Sequence, residues 1–320
     1  MALSVAVLMD PISAIKIAKD STFAMLLEAQ RRGHTLHYME HGDLALRSGE
    51  PWAKLAELTV TEDHEDWYRL QPAQWRDLRQ LDVVLMRKDP PVDAQFIYDT
   101  QVVELAQRAG VLVVNDPQSL RDCNEKLFSL HFPQCIVPTL VSRDPAELRR
   151  FVVEHEQAVL KPLDGMGGRG IFKVKVGDSN LNSMLETLLG GGAHGEGRQF
   201  VAVQKFIPEI SSGDKRILMI DGEPVPYALA RIPQGDEFRG NLAAGGRGVG
   251  VPLSERDRWI AAQVAPELRR RGLLFVGLDV IGDYLTEVNV TSPTCIRELD
   301  AQFGLNIAGQ LFDVIERKRA

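Results

Sequence analysis

Short apolar runs alternate with longer amphipathic stretches through the first third of the chain. Residues 4–9 (SVAVLM) form an unbroken apolar run of the kind buried on both faces of a sheet. Residues 20–33 read as a helix: Asp20 or Ser21 caps its start, Arg31 and Arg32 suit its negative end, and Gly33 stops it. Residues 36–39 supply a second strand, and the pattern returns as a strand over 82–87, a helix through 103–108 and a strand over 111–114. This alternation predicts a small parallel-sheet α/β domain, in which ligands sit at the carboxyl ends of the strands. Those ends are residues 10–13 and 87–91, although Pro11, Pro90 and Pro91 account for both as ordinary turns.

Beyond residue 114 the pattern changes. Residues 115–120 read as a linker into a helix that carries Asn124, Glu125 and Lys126 and is ended by Pro133 and Pro138. A helix over 146–155 and a strand over 158–162 follow, and Lys161 near the end of that strand directly precedes a loop containing Gly165, Gly167, Gly168 and Gly170. With the strand 171–174 after it, the order is strand, glycine loop, strand, which matches neither the Walker nor the dinucleotide fingerprint. Glycines free backbone N–H groups to turn onto phosphate oxygens, and a lysine beside them favours that use over a plain hairpin. The strand over 200–208 places Gln204, Lys205, Phe206 and Ile207 where backbone polar groups and apolar sides can take a nucleotide base.

A hairpin over 213–231 turns at Asp221 and Gly222 and is flanked by Arg216 and Arg231. Residues 233–250 set Arg239 and Arg247 among repeated glycines; the segment is too long for a plain connection and predicts a mobile loop suited to anion capture. An amphipathic helix over 254–271 leads into a second hairpin, 277–293, and a helix over 307–317 closes the chain. Acidic groups interrupt that second hairpin. Glu287 and Asn289 are two apart and share a face. A three-residue turn over 282–284 sets Asp279 opposite Glu287 on that face, a two-residue turn sends it to the other side, and the former is expected. These three side chains make a hard oxygen set suited to Mg²⁺, with Mn²⁺ as an alternative; merely solvated carboxylates on an edge strand are the competing reading.

Composition narrows the field. The 320 residues suffice for two or three domains, and 44% hydrophobic with 25% charged residues is ordinary for a soluble globular chain. A net charge of −7 offers no general attraction to nucleic acid or anionic lipid, so any anion site is local. No apolar run is long enough to span a bilayer, and residues 4–8 are too few for a signal sequence. Cys123, Cys135 and Cys295 have no metal spacing and suit reduced thiols in a cytoplasmic protein. Two separated lysines, a glycine-rich hairpin, arginines near a loop and a carboxylate–amide set together describe phosphoryl transfer from a magnesium nucleotide. No Ser-His-Asp or Cys-His arrangement supports a covalent hydrolase.

Eight runs resemble the bacterial glutathione synthetases, a family within the ATP-grasp ligases. They are 9–12 (MDPI), 20–33, 85–91 (LMRKDPP), 117–126 (PQSLRDCNEK), 160–168 (LKPLDGMGG), 230–235 (ARIPQG), 239–248 (RGNLAAGGRG) and 285–297 (LTEVNVTSPTCIR). The resemblance covers nearly the full length and departs at residues 169–170 and 181–198. It implies an α/β to α+β fold of three parts: an N-terminal parallel-sheet domain (1–121), a central lid domain (122–203) and a C-terminal antiparallel-sheet domain (204–320). It further implies ATP between the last two, and the reaction ATP + γ-glutamylcysteine + glycine → glutathione + ADP + phosphate. Lys126 and Lys161 would then hold the nucleotide, residues 165–170 would cover its phosphates and Asp214 would touch the ribose. Asp279, Glu287 and Asn289 match the family's magnesium ligands, Arg216 would neutralise the transferring phosphoryl group, and Arg231, Arg239 and Ser292 would fix the substrate. The resemblance also implies a homo-oligomer, a tetramer or dimer, with no nucleic-acid or membrane partner. A different carboxylate–amine ligase of the same fold, such as a dipeptide ligase, and a non-catalytic ATP-binding module are the rival readings.

Overall fold

A computed structural model describes residues 2–191, 196–242 and 245–320. Its strands fall into three sheets. The first, of eight strands, includes in order Thr35–Met39, Ser4–Leu8, Val83–Met86 and Leu112–Val114, all parallel, the last at the sheet's edge. The helix Ser21–Arg31 packs on it, with the Asp20 carboxylate accepting from Phe23 N at 2.6 Å. The expected parallel sheet is correct for these four strands only. Glu50–Val60 pairs antiparallel with Thr35–Met39, and Leu44–Arg47, Tyr68–Leu70 and Gln74–Asp77 pair in turn on Glu50–Val60. This extension was not anticipated, because its mixed polar and apolar residues leave most of one face to solvent.

The second sheet has four antiparallel strands in the order Phe172–Lys175, Gln157–Pro162, Val201–Lys205 and Thr139–Ser142. Helices Pro145–His155 and Leu181–Leu189 bury Leu148, Phe151, Val152, Leu185 and Leu189 against it, forming a small core of its own. The third sheet has five antiparallel strands in the order Arg247–Pro252, Glu223–Ile232, Asp214–Ile220, Phe275–Ile281 and Tyr284–Asn289. Its apolar faces are continuous with those of the first sheet. Leu278 and Val288 share one cluster with Leu8 and Phe96, and Leu218 and Phe275 share another with Val5 and Phe23.

Three local expectations need correction. Asn124, Glu125 and Lys126 are not helical: the helix runs earlier, Pro117–Asp122, and the Asn124 Oδ1 accepts from the backbone N–H groups of Lys126 and Leu127 in a turn. The segment expected to be irregular to residue 250 is already a paired strand from Arg247; residues 243–244 within it, and 192–195 of the divergent stretch, lie outside the described residues. The third concerns the acidic hairpin. Its turn is the two-residue Gly282–Asp283, yet Asp279 still pairs with Glu287, because the register shifts between Asp279 and Val280 and leaves Thr286 as an extra residue. A β-bulge, not a longer turn, places the carboxylates opposite one another. The Thr286 hydroxyl donates to Asp279 O at 3.1 Å across it.

Candidate active site

The third sheet supplies the floor of a cleft of about 300 Å³, at the lower end for small-molecule pockets. Pairing along its central strand sets Asp214 opposite Arg231, and Arg216 opposite Asp279, which in turn faces Glu287. Residues two apart share a face, so two adjacent charged rows point into the cleft. Arg216 donates Nε to Asp279 Oδ1 at 2.5 Å and Nη2 to Oδ2 at 3.1 Å. Arg231 Nη2 lies 2.9 Å from Asp279 Oδ2 and donates to Asp214 Oδ2 at 2.5 Å. All four groups are buried.

Burial alone would push Asp279 up, but Arg216 and Arg231 outweigh it and hold its carboxyl well below the usual range. Burial pushes Asp214 up to about 7 against the pull of Arg231, and the charges of Asp279 and Glu287 add to the rise. Arg231 thus serves two carboxylates, outweighing burial at Asp279 and opposing it at Asp214. The Asp214 Oδ1 is buried and has no hydrogen-bond partner among the described residues.

The opposite wall belongs to the second sheet and its loop. Lys161, buried on Gln157–Pro162, donates Nζ to Gln204 Oε1 at 3.2 Å and lies 3.9 Å from Glu287 Oε1. From the floor side, where Glu125 O accepts from Val288 N at 2.9 Å, Lys126 Nζ donates to Gly165 O at 2.9 Å and to Glu125, and lies 3.7 Å from the same Glu287 oxygen. Burial lowers the Lys126 pKa, but Glu287 and Glu125 more than restore it. Glu125 is pushed up to about 7 by burial and by the Glu287 charge. Glu287 is therefore where the two walls meet.

The two glycine-rich segments dock on each other. Arg239 donates Nη1 to Gly168 O at 2.8 Å and is held from behind by Glu237. Gly168 adopts φ +82°, which favours glycine, and a Cβ there would meet Asn241 Oδ1 at 2.7 Å, so the Asn241 side chain would have to turn aside. Gly240 lets the second segment approach the floor, since a Cβ would lie 2.2 Å from Arg231 O.

Every site residue expected from sequence lines this cleft except Gly170, which packs against Pro162 and Leu188 at the base of its hairpin. The structure adds Glu125, Asp89, Phe238, Thr286 and Cys295. Glu125 and Asp89 stood in runs already singled out, beside Lys126 and within residues 87–91, but only their placement shows that they face the cleft. Ser292 does line it, with its hydroxyl donated to Asp89. Among the described residues no group of three or more His, Cys, Asp or Glu side chains could hold a metal ion. The set Asp279, Glu287 and Asn289 includes an amide, and its members differ in freedom. Both Asp279 oxygens hold guanidinium hydrogens, whereas Glu287 makes only long ion pairs and Asn289 donates Nδ2 to Gly277 O at 3.3 Å, leaving its oxygen free. Hard, under-used oxygens beside two lysines and a glycine loop fit a magnesium–phosphate pair.

The profile of the prokaryotic glutathione synthetase N-terminal domain matches residues 3–121, and that of the prokaryotic glutathione synthetase ATP-grasp domain matches residues 125–304. The chain belongs to the prokaryotic glutathione synthetase family. Within that family, the glutathione synthetase of Xanthomonas campestris pv. campestris is 69% identical over 316 residues, covering 99% of this chain and 98% of its own. The glutathione synthetase of Xylella fastidiosa (strain Temecula1) is 62% identical over 316 residues, with 99% of each chain covered. A crystal structure of a D-cycloserine synthetase superposes with a TM-score of 0.67 at 16% identity, covering 98% of this chain and 100% of that one, a likeness of fold. As a glutathione synthetase family member the chain is an ATP-dependent ligase, with ATP as a co-substrate. No helix among its described residues is long and apolar enough to cross a membrane.

Proposed function

We propose that the cleft joins γ-glutamylcysteine to glycine through an acyl phosphate, with ATP as phosphoryl donor. The observation that carries this reading is the cross-strand row Arg216, Asp279, Glu287 facing Lys126, Lys161 and the glycine loop. A carboxylate is a poor acyl donor, because its leaving group would be oxide and its charge repels an approaching electron pair. Transfer of the γ-phosphoryl group to a cysteinyl carboxylate oxygen removes both obstacles. The glycine amine then forms the peptide bond, and the acyl C–O bond breaks with its electron pair leaving on phosphate.

In this reading Lys126, Lys161 and the N–H groups around Gly165, Gly167 and Gly168 hold the nucleotide phosphates, with Gly170 shaping the turn. Gln204, Lys205, Phe206 and Ile207 take the base, and the unpartnered Asp214 Oδ1 accepts from the ribose. Arg216 neutralises the transferring group, while Arg231, Arg239 and Ser292 position the substrate. Glu287 and Asn289, with Asp279 beside them, would hold Mg²⁺, which supplies positive charge to the phosphate oxygens when bound. The chain divides in this reading at residues 121 and 203, with 122–203 acting as a lid; the separate core of the second sheet supports the later part of that lid, whereas Cys123, Phe128, Phe132 and Cys135 pack in the cluster of the floor. The three free, buried thiols suit a cytoplasmic enzyme, and the family likeness suits a homo-oligomer, whose size light scattering would give.

Two experiments test the reading. ADP release needs both γ-glutamylcysteine and glycine for full turnover; with ¹⁸O in the cysteinyl carboxylate, one labelled oxygen appears in phosphate for each product formed. Unlabelled phosphate rules out the acyl phosphate. Glu287→Ala loses far more turnover than ATP affinity measured by calorimetry, since the lysines and glycine loop still bind the nucleotide; near-normal turnover at saturating magnesium would remove the metal assignment.

A further inference from the structure

Every ionised carboxylate on the cleft floor is matched by a cation, but at the mouth one is not. Asp89 follows the strand Val83–Met86, lines the cleft and forms no ion pair among the described residues. Its surroundings hold it still. The Asp10 carboxylate accepts from Asp89 N at 2.8 Å and from Lys88 Nζ at 2.8 Å. Arg87, buried beneath, donates Nη2 to Pro293 O at 2.9 Å and Nε to Thr22 Oγ1 at 3.1 Å, tying this loop to the segment that follows the acidic hairpin. From that segment the Ser292 hydroxyl donates to Asp89 Oδ1. One carboxylate oxygen, Oδ2, has no partner among the described residues, on an exposed but pinned side chain.

We propose that Asp89, oriented by Ser292, receives the α-ammonium group at the γ-glutamyl end of the peptide substrate and selects peptides with a free amine there. The inference rests on the function proposed above. Two ammonium groups enter that reaction, and their chemistry separates them. Glycine attacks as a neutral amine, and a carboxylate beside it would stabilise the charged, unreactive form. The γ-glutamyl ammonium is a spectator that keeps its charge throughout, so a fixed carboxylate binds it in ground state and transition state alike. Ser292 becomes a positioning residue, its proton spent on Asp89, with its oxygen lone pairs still open to the substrate.

The test is steady-state kinetics of the wild type, Asp89→Asn and Asp89→Glu, on γ-glutamylcysteine and on glutarylcysteine, which lacks only the α-amino group. A charge-assisted contact of this kind predicts that Asp89→Asn raises KM for γ-glutamylcysteine about 10- to 100-fold. The KM values for ATP and glycine stay within about twofold, Asp89→Glu recovers part of the loss, and the wild type and Asp89→Asn use glutarylcysteine equally. An unchanged KM for γ-glutamylcysteine, a rise confined to glycine, or an equal deficit on glutarylcysteine would each overturn the inference. Failure of the wild type to join γ-glutamylcysteine to glycine would overturn the proposed function as well, which sets that failure apart.

Discussion

The two walls of the cleft are built differently. The floor, on the five-stranded sheet, shares its hydrophobic clusters with the N-terminal sheet, and its arginines and carboxylates are buried and mutually paired. The opposite wall, on the four-stranded sheet, has a small core of its own and meets the floor through Lys161 near Glu287, the hydrogen bond from Lys126 to Gly165 O and the contact of Arg239 with Gly168. Folding has already oriented the charges on the floor, at the cost of burying them. Those on the opposite wall sit on a sheet whose buried cluster shares no residue with the two main ones. The preorganised charges thus belong to the five-stranded sheet, and the lid role proposed for the four-stranded one falls outside its cores.

The largest expected effect comes from breaking the floor. Arg216→Met leaves Asp279 a buried carboxylate with one cation fewer, which costs about 3–5 kcal/mol of stability. Turnover falls about 10²- to 10³-fold with the lost charge stabilisation. Thermal melting and steady-state rates check both, and a variant that melts normally would show that the floor is not held by this network.

A pH series sharpens the same point at Glu125, which contacts Lys126 and whose backbone O accepts from Val288 N at 2.9 Å. Its carboxyl is raised from 4.5 to about 7, so the folded state binds this proton more tightly than the unfolded chain does. The stability this provides is complete below about pH 4.5 and is lost as pH rises through about 7. Glu125→Gln cannot titrate. Relative to wild type it gains on the order of 3 kcal/mol between pH 5 and 8, read from urea midpoints at the two values. A pH-independent difference would place Glu125 in contact with water.

The smallest effect on stability belongs to the other wall. Gly168→Ala forces a side chain into a positive-φ position and against Asn241, a local strain of about 1–2 kcal/mol that the loop relieves by moving. The KM for ATP rises about tenfold, by the ~1.4 kcal/mol-per-decade rule, and the melting temperature stays within about 2 °C. If Gly168→Ala melted as early as Arg216→Met, the two walls would be one cooperative unit and the comparison would fail.

Much of this was legible in the linear chain. Continuous apolar runs identified the parallel strands, because a strand buried on both faces needs no polar positions. Caps and stop signals placed the helix Ser21–Arg31, since Asp20 acts within three residues of itself. The glycine loop, Lys161, the arginines and Glu287 were recognisable by residue type and spacing, and nearly all of them line one cleft. What local patterning could not supply was register and long-range pairing. Asp279 faces Glu287 because Thr286 bulges, a choice made by packing across the sheet and invisible in the turn residues. The four extra strands on the N-terminal sheet, the non-helical turn at Lys126 and the service of two carboxylates by Arg231 likewise depend on neighbours distant in sequence. The sequence by itself determined which residue types and which family; only the tertiary structure decided which charge is paired with which, because pairing energies depend on distance and burial, and neither is a property of the chain before it folds.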